Sequence, residues 1–113
     1  MTPPVTRKGL LTAMIASGKP VSRVEIQEVT MEPGIKVPLH LHPCPTVGVI
    51  SEGTISFQLE GQSVHHLKVG DAFYEPANVQ VAKFDNDGNV PAKFVVFYLL
   101  GVNEQETIRI MAK

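Results

Sequence analysis

The segment HLHPCP, residues 40–45, sets His40 and His42 one residue apart and follows them with a cysteine between two prolines. In an extended chain alternate side chains share a face, so both imidazoles project from one side of a strand with Cα atoms about 7 Å apart, near enough to converge on one ion. Neutral imidazole nitrogens ligate iron, manganese, nickel, copper and zinc, so the pair is half of an unselective divalent transition-metal site. Two ligands without a third make a weak site, and two polar residues on a strand face explain the spacing equally well. Glu75, in the segment FYEP, is a candidate third donor, because an inward carboxylate would complete a two-histidine, one-carboxylate set. The competing reading is a rim glutamate in solvent or in an ion pair.

Three further groups carry weaker signals. Cys44 would join His40 and His42 on one face if alternation continued, but Pro43 and Pro45 fix the backbone there, and a small, partly buried thiol is the plainer reading. His65 and His66 are adjacent, so on a strand only one of them can face inward. Gly70-Asp71 reads as a turn in which the aspartate bonds nearby backbone.

Such side chains need strands to position them. Short apolar segments with period two are punctuated throughout by nine glycines and nine prolines, the pattern of an all-β sandwich or barrel. Strands are expected at about residues 9–16, 22–31, 36–42, 46–51, 54–59, 62–68, 72–75, 79–84, 93–101 and 106–111. Ile55, Phe57 and Leu59 alternate with Ser56 and Gln58 before Glu60-Gly61 turns the chain into a hairpin. In the N-terminal segment GLLTAMIASG, Leu11, Ala13 and Ile15 are expected to face one way. No stretch keeps apolar residues at three-and-four spacing behind a cap, so no substantial helix is expected.

Composition narrows the function. The 113 residues suit one domain spanning 1–113, with about residues 1–8 as an arm. Lys plus Arg number 10 against 11 for Asp plus Glu, which gives no basic field for nucleic acid. The longest nearly unbroken apolar run, FVVFYLLGV, is too short to span a bilayer as a helix, and no membrane partner is expected. One cysteine permits no intrachain disulfide and points to a cytoplasmic address. Arg7 and Lys8 ahead of GLLTAMIASG imitate a secretory signal, but cleavage after Ala16 would put Met14 where a small residue is needed.

The segment GIKVPLHLHPCPTVGVISEG resembles the first motif of the cupin superfamily, with Gly34, His40, His42 and Gly53 on its fixed positions. The segment GDAFYEPANVQVAKFDN resembles the second motif through Gly70 and Pro76, while Asn78 takes a glycine position where tolerance of positive φ is required. The resemblance implies a small antiparallel jelly-roll β-barrel, often paired into homodimers, with a small-molecule ligand inside. Families of this kind usually hold the ion with the two histidines, a motif-one glutamate and a motif-two histidine. Here Thr46 and Val81 stand in the last two places, and Asp85 replaces the expected asparagine. The resemblance therefore implies a degenerate site in which only His40 and His42 remain of the family's four ligands, holding one divalent ion weakly or none. Glu75 is the candidate from the residues themselves for a third ligand.

Three functions compete on these grounds. One is a metal-free or weakly metal-binding cupin with a pocket formed by Thr46, Phe57, Phe73, Gln80 and Val81. Another is a metal-dependent enzyme of dioxygenase or isomerase type using the His-His-carboxylate set. The third is a structural dimer that makes no demand on the histidines. Homodimerisation is expected because KFVVFYLL and the N-terminal segment offer more apolar strand than a small barrel covers.

Overall fold

The computed structural model describes residues 4–15 and 18–111. Among these residues there are nine strands: β1 (Arg23–Met31), β2 (His40–Leu41), β3 (Thr46–Glu52), β4 (Ile55–Leu59), β5 (His65–Leu67), β6 (Ala72–Glu75), β7 (Val81–Asp85), β8 (Ala92–Leu100) and β9 (Arg109–Ile110). They form two antiparallel sheets, ordered β1-β8-β3-β6 and β5-β4-β7-β2-β9, in a jelly-roll arrangement with no helix among the described residues. Among the described residues no helix is long and apolar enough to cross a membrane.

Strand β8 shows how composition makes the core. Ala92, Phe94, Val96, Tyr98 and Leu100 are buried, whereas Lys93, Val95, Phe97 and Leu99 on the other face are half-buried. It lies between β1 and β3 as a central strand of the first sheet, which is why its sequence reads as a continuous apolar run. Its inner side chains meet those of the second sheet in an aromatic cluster, with Phe73–Phe84 ring centroids 5.4 Å apart and Phe84–Phe94 5.0 Å apart. Edge-to-face pairs of this kind add about 0.5–1.5 kcal/mol each beyond the area they bury. The cluster plugs one end of the space between the sheets.

Turns occur where the residue types demand them. Gly61 turns the β4–β5 hairpin at φ 80°, and Asn78 adopts φ 65° at the position where the sequence required such tolerance. Gly48 has another reason: a Cβ there would lie 2.4 Å from the Phe73 ring, so β3 can pass that ring only as glycine.

Several expected strands are shorter or missing. Residues 9–15 make no strand, and Ala16 lies outside the described residues. Leu10, Leu11 and Met14 remain exposed there, and the segment has no strand neighbour to complete its backbone hydrogen bonds. The expected strand at 36–42 shrinks to His40–Leu41 with an isolated bridge from Lys36 to Asp85, since Pro38 supplies no N–H between them. Among the described residues of the expected strand at 106–111, Arg109–Ile110 form the strand, beside β2.

Candidate functional site

His40 sits on β2 between Val81 of β7 and Ile110 of β9. His42 lies just beyond the strand with the same parity, and both imidazoles are buried between the sheets, 3% and 4% exposed. Glu75 comes from the opposite sheet as the last residue of β6, paired with Thr46, and is 3% exposed. The three meet at the centre of the fold. Glu75 Oε1 is 3.4 Å from His42 Nε2, and its Oε2 is 4.0 Å from His40 Nε2. One donor atom from each residue lies within 4.8 Å of the others. Donors about 2.0–2.2 Å from a shared ion are themselves separated by roughly 3–4 Å, a spacing that small side-chain rotations would reach from here.

The outer nitrogens of both rings are committed elsewhere. His40 Nδ1 lies 2.8 Å from the Pro38 carbonyl and His42 Nδ1 2.6 Å from the Thr107 carbonyl. A carbonyl only accepts, so each Nδ1 carries the proton and donates it, and each Nε2 in the neutral ring keeps its lone pair for the centre. Ligating histidines are oriented by such contacts in metal sites generally. Burial lowers the pKa of His40 and outweighs the opposing pull of the Pro38 carbonyl and Glu75. Burial also works against protonation of His42, but the contact with Glu75, its charge and the Thr107 carbonyl together raise its pKa.

Glu75 Oε2 is buried with no hydrogen-bond partner. A buried carboxylate oxygen without a donor carries an uncompensated desolvation cost. A cation held by the two inward Nε2 atoms and this oxygen would remove it. The donor chemistry and the orphaned oxygen therefore fit a divalent transition metal.

Beside the three side chains opens a cavity of about 240 Å³. Its walls come from inward positions of β1 and β8, with Val29, Phe94 and Val96, together with Val37 and Phe84; Gln27, Thr107 and Ile108 also line it. Tyr98 stands next to His42, ring centroids 5.7 Å apart. Burial first, and then the charge of Glu75, push its phenol up to about 12, so the hydroxyl keeps its proton as a donor.

The expected residues divide clearly. His40, His42 and Glu75 come together, whereas Thr46, Phe57, Phe73, Gln80 and Val81 do not line this cavity. Thr46 is fully buried and donates its hydroxyl to the Cys44 carbonyl at 3.2 Å. Phe57 and Phe73 pack behind Phe84 in the aromatic plug. Val81 is core, 1% exposed, opposite His40. Gln80 offers its carbonyl to the Glu60 N–H at 2.9 Å.

Cys44 is also buried in the core, where burial raises its thiol pKa, and it is no member of the ligand group. His65 and His66 are exposed, and His66 Nδ1 contacts Ser56 Oγ at 3.2 Å. From the sequence, Phe94 and Tyr98 were expected with the other aromatics mostly in the core or a dimer interface, some of them open to lining a pocket, and Val96 was not singled out; their shared parity along FVVFY was a usable signal. Sequence reasoning missed Thr107, which acts through its backbone carbonyl and so leaves no residue-type signal.

Comparisons with known proteins bear on the family and the fold. A family model described as "Cupin domain" matches residues 27–98. An oxalate oxidase solved with the substrate analogue glycolate superposes with TM-score 0.66 at 22% identity, over 77% of this chain and 45% of that one. The DMSP lyase DddQ from Ruegeria pomeroyi DSS-3 gives TM-score 0.66 at 23% identity, over 77% and 42%. A sugar phosphate isomerase of the cupin superfamily from Silicibacter pomeroyi DSS-3 gives TM-score 0.62 at 28% identity, over 71% and 52%. The chain thus spans about half or less of these proteins' lengths. No curated protein sequence matches it.

Proposed function

The chain belongs to the cupin family, and from that footing we propose that it binds a small molecule in the cavity beside a divalent transition-metal site formed by His40, His42 and Glu75. The observation that carries the reading is the buried, partnerless Glu75 Oε2 beside two imidazoles whose Nδ1 atoms are spent on backbone carbonyls and whose Nε2 atoms both face Glu75. A bound ion would supply Lewis acidity to an oxygen of the ligand. The remaining work falls to the chain itself. Pro38 and Thr107 carbonyls hold the rings, Tyr98 offers a proton donor, and the apolar walls exclude water. A homodimer and a cytoplasmic address, the latter argued from the single buried thiol, belong to the same proposal.

A metal-dependent enzyme is the second reading, favoured by the same donor set. Two histidines and one carboxylate leave coordination positions open to a reacting molecule. Elemental analysis of untagged protein reconstituted with Fe²⁺, Mn²⁺, Ni²⁺, Cu²⁺ or Zn²⁺ tests both. About one ion per chain is expected, with His40→Ala and His42→Ala each losing it. Ion contents that are substoichiometric for every metal, or unchanged in both variants, would reject the site.

A further inference from the structure

The cavity has the charge and surface of a site for one small ring, not for a polyanion. Its walls are Val29, Val37, Phe84, Phe94, Val96 and Ile108, and its ionisable groups gather at the end occupied by His40, His42 and Glu75. Among the described residues no lysine or arginine lines it. Recognition of a phosphate or a dicarboxylate ordinarily uses such cations, often as a bidentate guanidinium. A divalent ion bound here would already face Glu75, so only one further negative charge could be balanced.

Size and shape narrow the class. The volume of about 240 Å³ exceeds the roughly 150 Å³ of a dry cavity that accepts benzene. It falls short of the ~300–1,000 Å³ typical of drug-sized ligands. Phe84 and Phe94, packed on each other at 64°, both line the cavity and give it aromatic surface against which another ring packs well. Gln27, opposite Val96 in the β1–β8 register, adds a neutral amide to the lining.

Resting on the reading of this cavity as the ligand site of a metal-binding cupin, we propose that its ligand is a single-ring phenol. The oxygen lies at the His40–His42–Glu75 end, beside the Tyr98 hydroxyl, and the ring packs among Phe84, Phe94 and Val96. The arrangement puts the one polar atom where the polar groups are and leaves the apolar walls covered.

Fluorine NMR of 4-fluorophenol, titrated with the full chain with and without Zn²⁺, tests this. The resonance should shift or broaden with the Zn²⁺-loaded protein, and glucose 6-phosphate at equal concentration should leave it unchanged. Val29→Phe and Val37→Phe, each filling the cavity from a half-buried position, should weaken 4-fluorophenol at least tenfold. Circular dichroism confirms that each variant folds, and calorimetric Zn²⁺ titration of the same samples reports the metal site separately. Zn²⁺ binding without any response of 4-fluorophenol overturns the phenol assignment alone. So does retention of 4-fluorophenol by both folded variants, or its displacement by glucose 6-phosphate. Absence of Zn²⁺ binding rejects the metal reading, while cavity-dependent binding of 4-fluorophenol under that condition still supports the ligand class.

Discussion

The chemistry at the centre depends on which atoms already have partners. Each histidine spends Nδ1–H on a carbonyl, one two residues away at Pro38 and the other at Thr107, and keeps Nε2 for the interior. The His-x-His spacing was readable as a shared strand face, because side-chain parity is a property of the chain alone. The direction of Glu75 was not readable, since it depends on β6 pairing Glu75 with Thr46 across the sheet. The carbonyl partners were hidden for a different reason: every residue type has one. The cost of leaving Glu75 Oε2 unpaired separates two properties that usually move together. Glu75→Gln keeps the shape and removes the buried charge, so the metal-free variant should unfold at the same temperature as metal-free wild type or higher. Stabilisation by Zn²⁺ should shrink, because binding to the native state alone adds stability in proportion to RT ln(1 + [L]/Kd). Differential scanning calorimetry at fixed Zn²⁺ concentrations measures both; a lower metal-free midpoint with undiminished zinc stabilisation would show that the carboxylate serves structure and not the ion.

Elements with strong alternation were legible, and those defined only by a neighbour were not. β3, β4, β6 and β8 fall within one or two residues of their expected limits because each has a distinct buried face. β2 and β9 are two-residue pairings, fixed by where the C-terminal segment docks, and no local pattern announces that. This segment also carries the Thr107 carbonyl to His42, so its anchorage bears on the site. Glu104 is one anchor: it takes a hydrogen bond from Lys19 Nζ and another, 2.7 Å long, from the Gly101 N–H. The Lys19 bond first, and then the Gly101 N–H, hold its carboxyl below the usual carboxylate range. A carboxyl depressed in the folded state stabilises fully above its unfolded pKa of about 4.3, and the contribution disappears as pH falls through the folded value. Glu104→Gln should therefore lower the melting temperature near neutral pH and narrow its gap to wild type in acid. Thermal melts across that range check the sign; a gap that widens on acidification would remove Glu104 as an acid-sensitive anchor.

At the scale of the whole molecule, the outer face of the first sheet carries a row that is apolar from edge to edge. Ile26, Phe97, Val47 and Tyr74 lie in register across β1, β8, β3 and β6, and in the next outward row Val95, Val49 and Ala72 follow Glu28 of β1. Val24 and Ile26 are 48% and 62% exposed, and Leu10, Leu11 and Met14 add apolar surface from the N-terminal segment. The radius of gyration is 15.0 Å, above the roughly 13 Å expected of a compact domain of this length, so the chain is extended relative to its core. From Phe94 to Leu100 both rows of β8 are apolar in sequence, which is why the cavity wall and the outer face could not be separated until the burial pattern assigned Phe94, Val96 and Tyr98 inward. A contiguous apolar face of this kind is characteristic of an association surface, and a twofold pairing would use the same patch on each copy. Sedimentation equilibrium at micromolar concentration should give twice the chain mass of 12.3 kDa. Val24→Glu with Ile26→Glu should shift it toward that of the monomer, because each like charge would be buried against the apolar face of the other copy. The zinc stoichiometry per chain should survive, since both residues point away from the cavity side of β1, where Gln27 and Val29 face inward. A wild-type protein that stays monomeric at these concentrations would leave the apolar face without its second copy, and a double variant that stays dimeric would place the interface elsewhere.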